Sequence, residues 1–139
     1  MRFYVSGPVV EMLEGKSLLE LIYLHIQDRL AGHSVELPLR TRDLDNLGPT
    51  KFCSAVYDMI KASDAVITVL AAQDQSGPGE AVIASTLHKP QCIMEMSGSA
   101  PRLLQGLPHV VGVTKIKPGD LGPQVSEAID RLLRDLLSR

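Results

Sequence analysis

Short apolar runs alternate along the chain with stretches whose apolar residues recur every three or four positions. The first kind of run reads as a strand, the second as a helix with one face on a core. Arg2 to Ser6 is a short β run that stops at Gly7-Pro8. Ser17 to Leu30 carries Leu18, Leu19, Leu21, Ile22, Leu24, Ile26 and Leu30 in helical phase and ends before Gly32. Val35 to Leu37 reads as a short strand, and Pro38 to Pro49 as a polar loop holding Arg40, Arg42, Asp43 and Asp45. Thr50 is placed to cap a helix running to about Ser63, with Phe52, Val56, Met59 and Ile60 inward. Ala65 to Leu70 is apolar and β-branched, the pattern of a strand buried on both faces. Ala71 to Gly79 reads as a loop rich in Gly, Ser and Asp, Glu80 to Leu87 as a helix, and Gln91 to Met96 as a strand behind Pro90. Val110 to Thr114 is a last strand. Pro123 to Leu137 is an amphipathic helix with Val125, Ile129, Leu132, Leu133 and Leu136 in step.

Strands alternating with helices imply a parallel sheet covered on both sides. Five strands fit one α/β domain over residues 1–139, a flavodoxin/Rossmann-like doubly wound sheet of order 2-1-3-4-5. Such sheets bind ligands beyond the carboxyl ends of their strands, where the winding direction reverses. That point falls between the first and third strands. The segments there are Ser6-Gly7-Pro8 and Ala71 to Gly79, so Ser6, Gly7, Pro8, Ser76, Gly77 and Gly79 are the expected substrate-contacting residues.

Composition narrows the class. The chain has 139 residues, 45% apolar and 22% charged, which is ordinary for one soluble domain. At this size folding buries roughly two-thirds of the unfolded chain's surface, enough for a real core. Mean hydropathy is +0.09, on the apolar side, which hints at a further buried surface such as a subunit interface. The first helix agrees: Leu18, Ile22, Ile26 and Leu30 form one stripe, and Leu21, Leu24 and Tyr23 spread beyond it. A helix apolar on more than one side is buried on more than one side. It is expected to meet a partner subunit in a homodimer or higher homo-oligomer; the alternative is deeper packing within its own chain.

The formal charge is −2 and no basic cluster exceeds the Arg40/Arg42 pair, which disfavours nucleic acid as a partner. No apolar run approaches the ~18 residues of a membrane span. The opening MRFYVSGPVV lacks the apolar core of a signal peptide, so a cytoplasmic location is expected. Cys53 and Cys92 belong to no CxxC or Cys/His spacing and read as small buried hydrophobes in a reducing compartment. His25, His33, His88 and His109 are scattered, and none pairs with Cys or Asp at ligand spacing, so no metal is expected.

The informative segment is Asp74-Gln-Ser-Gly-Pro-Gly-Glu80. Gly77 and Gly79 permit close approach of a ligand to the backbone. Glu80 stands at a helix start, where the dipole and free N–H groups favour an ionised carboxylate. Such a carboxylate beside a pocket can serve as a nucleophile. Asp74 lies six residues earlier in the same loop. Two carboxylates in one pocket push their proton affinities apart, which separates acid from nucleophile. Glycosyl transfer uses that arrangement: one carboxylate attacks the anomeric carbon, and another group manages the leaving group's proton. The residues alone also allow a helix-start Glu and a turn-forming Asp with no catalytic role, both common for structural reasons.

Three further segments extend the pattern. Phe3-Tyr4-Val5-Ser6-Gly7-Pro8 is an aromatic-containing strand closing on Gly-Pro. In the segment from Ile60 to Val69, Asp64 precedes the central strand, and Glu80 follows Asp64 by sixteen residues. Ala84, Lys89-Pro90 and an apolar strand come next. In their order and spacing these pieces resemble the nucleoside 2-deoxyribosyltransferase family, including its relatives that hydrolyse deoxynucleoside 5′-monophosphates. The likeness covers roughly residues 3 to 96. It implies a homo-oligomer with sites completed by a neighbouring subunit, a small-molecule nucleoside or nucleotide substrate, no cofactor, and a covalent glycosyl-Glu intermediate. Glu80 takes the nucleophile position. Asp74 takes that of an acidic residue contacting base or sugar, and Tyr4 that of a first-strand Tyr beside the nucleophile. Ser99, before Ala100-Pro101-Arg102, resembles a Ser that contacts phosphate from the adjoining subunit.

The departures bear on substrate. Val56 stands where the family has an Asp, and Asp58, two residues on, is expected to be solvated. Pro8-Val9-Val10 replaces the first-loop Arg of the monophosphate hydrolases, and no spacing assigns Arg40, Arg42 or Arg102 to that role. The transferases' C-terminal Asn has no counterpart, since Asn46 is the single Asn. The expectation is cleavage or transfer at the N-glycosidic bond of a (deoxy)nucleoside or its 5′-monophosphate. Deoxyribose is the expected sugar, because an oxocarbenium-like transition state forms more readily without the 2′-hydroxyl. The alternative is a non-catalytic nucleotide-binding or sensing module on the same fold.

Overall fold

Five parallel strands form one sheet in the order β2-β1-β3-β4-β5, the topology expected from the alternating runs. The strands are β1 (Arg2–Ser6), β2 (Ser34–Glu36), β3 (Ala65–Leu70), β4 (Gln91–Glu95) and β5 (Val110–Lys115). Between and after them come α1 (Leu18–Arg29), α2 (Pro49–Lys61), α3 (Gly77–Thr86), α4 (Arg102–Gln105) and α5 (Leu121–Leu137). The computed structural model describes residues 1–10, 13, 15, 17–39, 44, 46–71, 77–96 and 100–139.

Strand alternation divides the core. One face of the sheet presents Phe3, Val5, Ile67, Val69, Cys92 and Met94 to α1 and α5. The other presents Tyr4 and Val66 to α2 and α3, and Leu70 and Ile93 to α3 and α4. All six residues of β3 are buried, as a central strand covered on both faces requires. Each fully buried Ile, Leu or Phe contributes roughly 1.5–3 kcal/mol over its exposed state. Asp64 ties the two central strands together just before β3. Its carboxylate accepts from Arg2 N–H at 2.7 Å, and its own N–H donates to Arg2 O at 2.7 Å. Among the described residues no helix is long and apolar enough to cross a membrane.

Helix starts differ from expectation in instructive ways. Ser17 caps α1, its Oγ accepting from Glu20 N–H at 3.1 Å. Thr50 is not a cap: α2 starts at Pro49 with Gly48 as N-cap. Proline's fixed φ suits the first helical position, and its missing N–H would have had no partner there. The same logic moves two other starts. α3 begins at Gly77 and α5 at Leu121, so Pro78 and Pro123 sit inside first turns. Gly77 and Gly79 are therefore first-turn helical residues rather than loop residues. α4 was not expected; four residues are too few to show periodicity. His88 and His109 adopt positive φ (58° and 70°) and meet at 3.0 Å between Nδ1 and Nε2, joining the end of α3 to the start of β5.

α1 faces both the sheet and α5, and Arg29 forks onto Asp130 at 2.6–2.9 Å. This intrachain packing accounts for part of the helix's surplus apolar surface; Leu21 and Leu24 remain half-buried.

The cysteines separate. Cys53 on α2 is exposed, which corrects the expectation that both are buried; Phe52 and Val56 take the inward positions beside it. Cys92 is buried in β4, and desolvation pushes its thiol from 9.0 up to about 12, against smaller opposing effects of a backbone hydrogen bond and the Arg131 charge. The folded value lies above the unfolded one. The stability linked to the neutral thiol is therefore complete below pH 9 and is lost as pH rises toward 12. A disulfide reagent at pH 8 is expected to label Cys53 in the native protein and Cys92 only after unfolding. Two fast equivalents from native protein would contradict this assignment.

Candidate active site

β1 has period two, so Tyr4 and Ser6 project from the same face, toward α2 and α3. β1 pairs with β3, with Ser6 opposite Thr68, and α3 follows β3. The first turn of α3 brings Glu80 over β1. There Tyr4 Oη donates to Glu80 Oε1 at 2.5 Å, and Ser6 Oγ donates to Oε2 at 2.5 Å. Both bonds are buried, and Glu80 itself is 9% exposed.

These lengths are those of charge-assisted O–H···O⁻ bonds. Two hydroxyl donors on the two oxygens suit a carboxylate, which only accepts. Burying a charge without such partners would be prohibitive, and the positive end of α3 adds to their effect. Held at both oxygens, the carboxylate plane cannot turn. The result is a carboxyl group fixed in orientation at the carboxyl end of the sheet, beside the point where strand order reverses.

The strand end next to it is tightly built. Tyr23 of α1 is fully buried and its Oη donates to Pro8 O at 2.7 Å. A side chain at Gly7 would collide with that phenol oxygen and press on Val69 O and Cβ at 3.2 and 3.3 Å. Only glycine fits here without a shift of its neighbours. Gly79 differs: a Cβ there would meet nothing within 4 Å, so its lack of a side chain leaves open space over the first turn.

Tyr4, Ser6 and Glu80 are thus brought into direct contact, with Gly7-Pro8 at the end of β1 and Gly77 buried at the start of α3. Asp74, Ser76 and Ser99 lie outside the described residues, as do Arg40 and Arg42. Val56 is buried against Tyr4 and Ile60, while Asp58 is exposed on α2. Arg102 is exposed at the start of α4. Ser6 was expected to line the sugar end; its grip on the second Glu80 oxygen was missed. The available signal was the alternation itself, which fixes Tyr4 and Ser6 on one face. Among the described residues no group of three His, Cys, Asp or Glu side chains could hold a metal ion.

No model of a known protein family matches the sequence, and no curated protein matches it. Solved structures do match the fold. A CMP N-glycosidase of Clostridium botulinum, BcmB, is 19% identical with a TM-score of 0.59, over 94% of this chain and 98% of that one. A 2-deoxyribosyltransferase from Bacillus psychrosaccharolyticus is 15% identical with a TM-score of 0.61, over 95% and 96% of the two chains. A conserved protein from Enterococcus faecalis V583 is 14% identical with a TM-score of 0.55, over 91% and 97%. At these identities the likeness is one of fold, and it is the fold of the family that the sequence pattern resembles.

Proposed function

We propose that this protein cleaves, or transfers across, the N-glycosidic bond of a (deoxy)nucleoside or its 5′-monophosphate, with Glu80 as nucleophile. The observation that carries the reading is the Glu80 carboxylate held at both oxygens by Tyr4 and Ser6. A carboxylate fixed and desolvated in this way is poised to attack an electrophilic carbon. A Glu80 oxygen bonds to C1′ as the C–N bond breaks, and its electron pair leaves with the base. Water or a second base then attacks C1′, the ester bond breaks, and the carboxylate returns. Asp74 is assigned to the proton of the leaving base, and Ser76, Gly77, Gly79 and Ser99 to contacts with substrate. The fold shared with an N-glycosidase and a deoxyribosyltransferase supports this assignment. Assembly into a homo-oligomer through α1 and a cytoplasmic location belong to the same proposal.

The test is free-base release, followed by chromatography, from deoxynucleosides, ribonucleosides and their 5′-monophosphates, with and without an acceptor base. Release without acceptor identifies a hydrolase; exchange only with acceptor identifies a transferase. One observation favours a second reading. Val56, where the resembled family has an Asp, leaves the pocket short of a carboxylate and suits a nucleotide-binding module without turnover. Such a module would be stabilised by ligand and release no base.

Tyr4→Phe and Ser6→Ala each remove one donor to Glu80. Each is expected to lower kcat about 10²-fold with little change in KM, because a misplaced nucleophile costs rate more than binding. Steady-state kinetics on any substrate from the panel checks this; wild-type kcat in both variants would remove their positioning role.

A further inference from the structure

Glu95 ends β4 at the carboxyl rim of the sheet and is 2% exposed. Alternation places it on the face of Gln91 and Ile93. Gln91 reaches Ala81 O of α3 at 2.9 Å, and Ile93 packs with Leu70, Ala81 and Leu104. This is the face that carries Tyr4, Ser6 and Glu80. Glu95 Oε1 has no hydrogen-bond partner, and it is the one buried side-chain oxygen or nitrogen in that state among the described residues. Lys115, its register neighbour on β5, is exposed and does not donate to it. A carboxylate oxygen withdrawn from water and left unpaired is costly. Such a group in a folded protein calls for an explanation, and a ligand that brings the donors is one.

Register locates it relative to the nucleophile. Ser6 pairs with Thr68 and Thr68 with Ile93, so Glu95 stands two strands across and two residues further toward the rim. At ~4.8 Å per strand and ~3.3 Å per residue, its Cα is about 12 Å from that of Ser6. α3, with Glu80 in its first turn, packs on β3 and touches both β1 and β4. The two carboxylates therefore flank the start of α3 at the rim where doubly wound sheets hold ligands, at a separation that a nucleobase and two side chains can span.

We propose that Glu95 is the specificity-determining residue of this site, accepting the N–H donors of a base's amino-bearing edge. The inference rests on the nucleoside reading of the site given above. A carboxylate offers acceptors only. The exocyclic amino groups of cytosine and adenine donate to it, whereas the oxo groups at the same positions of uracil and hypoxanthine present lone pairs and leave only the adjacent ring N–H to donate. A site built around a buried hydrogen-bonding group rejects the analogue that cannot pair with it.

The experiment compares base release from the matched deoxynucleosides of cytosine and uracil, and of adenine and hypoxanthine, by wild type, Glu95→Gln and Glu95→Leu, with a thermal melt of each. The wild type is expected to favour the amino base of a pair by about 10²-fold or more. Glu95→Gln, whose amide donates as well as accepts, is expected to cut that ratio at least ~10-fold at an unchanged Tm. Glu95→Leu is expected to lose amino-base turnover while melting above the wild type, since it removes a buried unpaired group. An unchanged ratio in both variants, or a Glu95→Leu protein that melts below the wild type, would overturn the proposal. If the wild type releases no base from any substrate, it is the glycosidic reading that fails. Glu95 is then tested by thermal shift with the free bases. Stabilisation by cytosine and not uracil, lost in Glu95→Gln, supports the role; equal or absent shifts overturn it.

Discussion

Replacing Glu80 with glutamine is expected to lower base release by on the order of 10⁴-fold or more and to leave the fold intact. Glutamine keeps the size of the side chain and an oxygen to accept from a hydroxyl, so the packing around Tyr4 and Ser6 survives. It removes the charge and the nucleophilic oxygen, and no step of the proposed reaction can then form the bond to C1′. Kinetics and a thermal melt read the two effects separately. A Glu80→Gln protein with wild-type turnover would end the assignment of the nucleophile; one that fails to fold would move the test to Tyr4→Phe, which removes the donor to Glu80 Oε1.

Gly7→Ala is expected to destabilise the fold by about 1–3 kcal/mol, as overpacking of a filled core does, and so to lower Tm by several degrees. The new Cβ would overlap the Tyr23 phenol oxygen and crowd Val69 O at 3.2 Å. Tyr23 has nowhere to go: it is fully buried and its hydroxyl holds Pro8 O. Relief must come from the end of β1, which displaces Ser6 and with it one of the two hydroxyls on Glu80. Activity should therefore fall along with stability. Gly79→Ala is the control, since a Cβ there meets nothing within 4 Å and should leave Tm within about a degree. A Gly7→Ala protein that melts with the wild type would show that β1 ends more loosely than its packing implies.

Both variants depend on features of unequal visibility in the chain. The sheet was legible because each strand announces itself locally: β3 as an unbroken apolar run, β1 as a run closed by Gly-Pro. Chain order and right-handed crossovers then lead to the observed strand order. Glu80 and Tyr4 were legible as a helix-start carboxylate and a strand aromatic of the resembled family, and their contact follows from the β1–β3 pairing. The start of α3 was not legible. Gly-Pro-Gly has the composition of a turn, yet Gly77 is a buried first-turn residue of the helix, whose Ala81 packs with Leu70 and Ile93. Cys53 read as buried because cysteine usually is; the phase set by Phe52, Val56 and Ile60 puts it outside. Glu95 was not legible, because a polar residue at the end of an apolar strand carries no pattern of its own. Its burial is a product of the folded sheet, in which β4 lies between β3 and β5.

The most direct test of the central claim is to look for the sugar on the protein. Enzyme mixed with a saturating substrate from the base-release panel is quenched in acid within the first turnovers, and its intact mass and peptides are measured. The account predicts a glycosyl adduct of one residue per chain, mapped to the peptide that contains Glu80 and absent from Glu80→Gln. Base release that proceeds with no adduct, or with an adduct on another side chain, would contradict it.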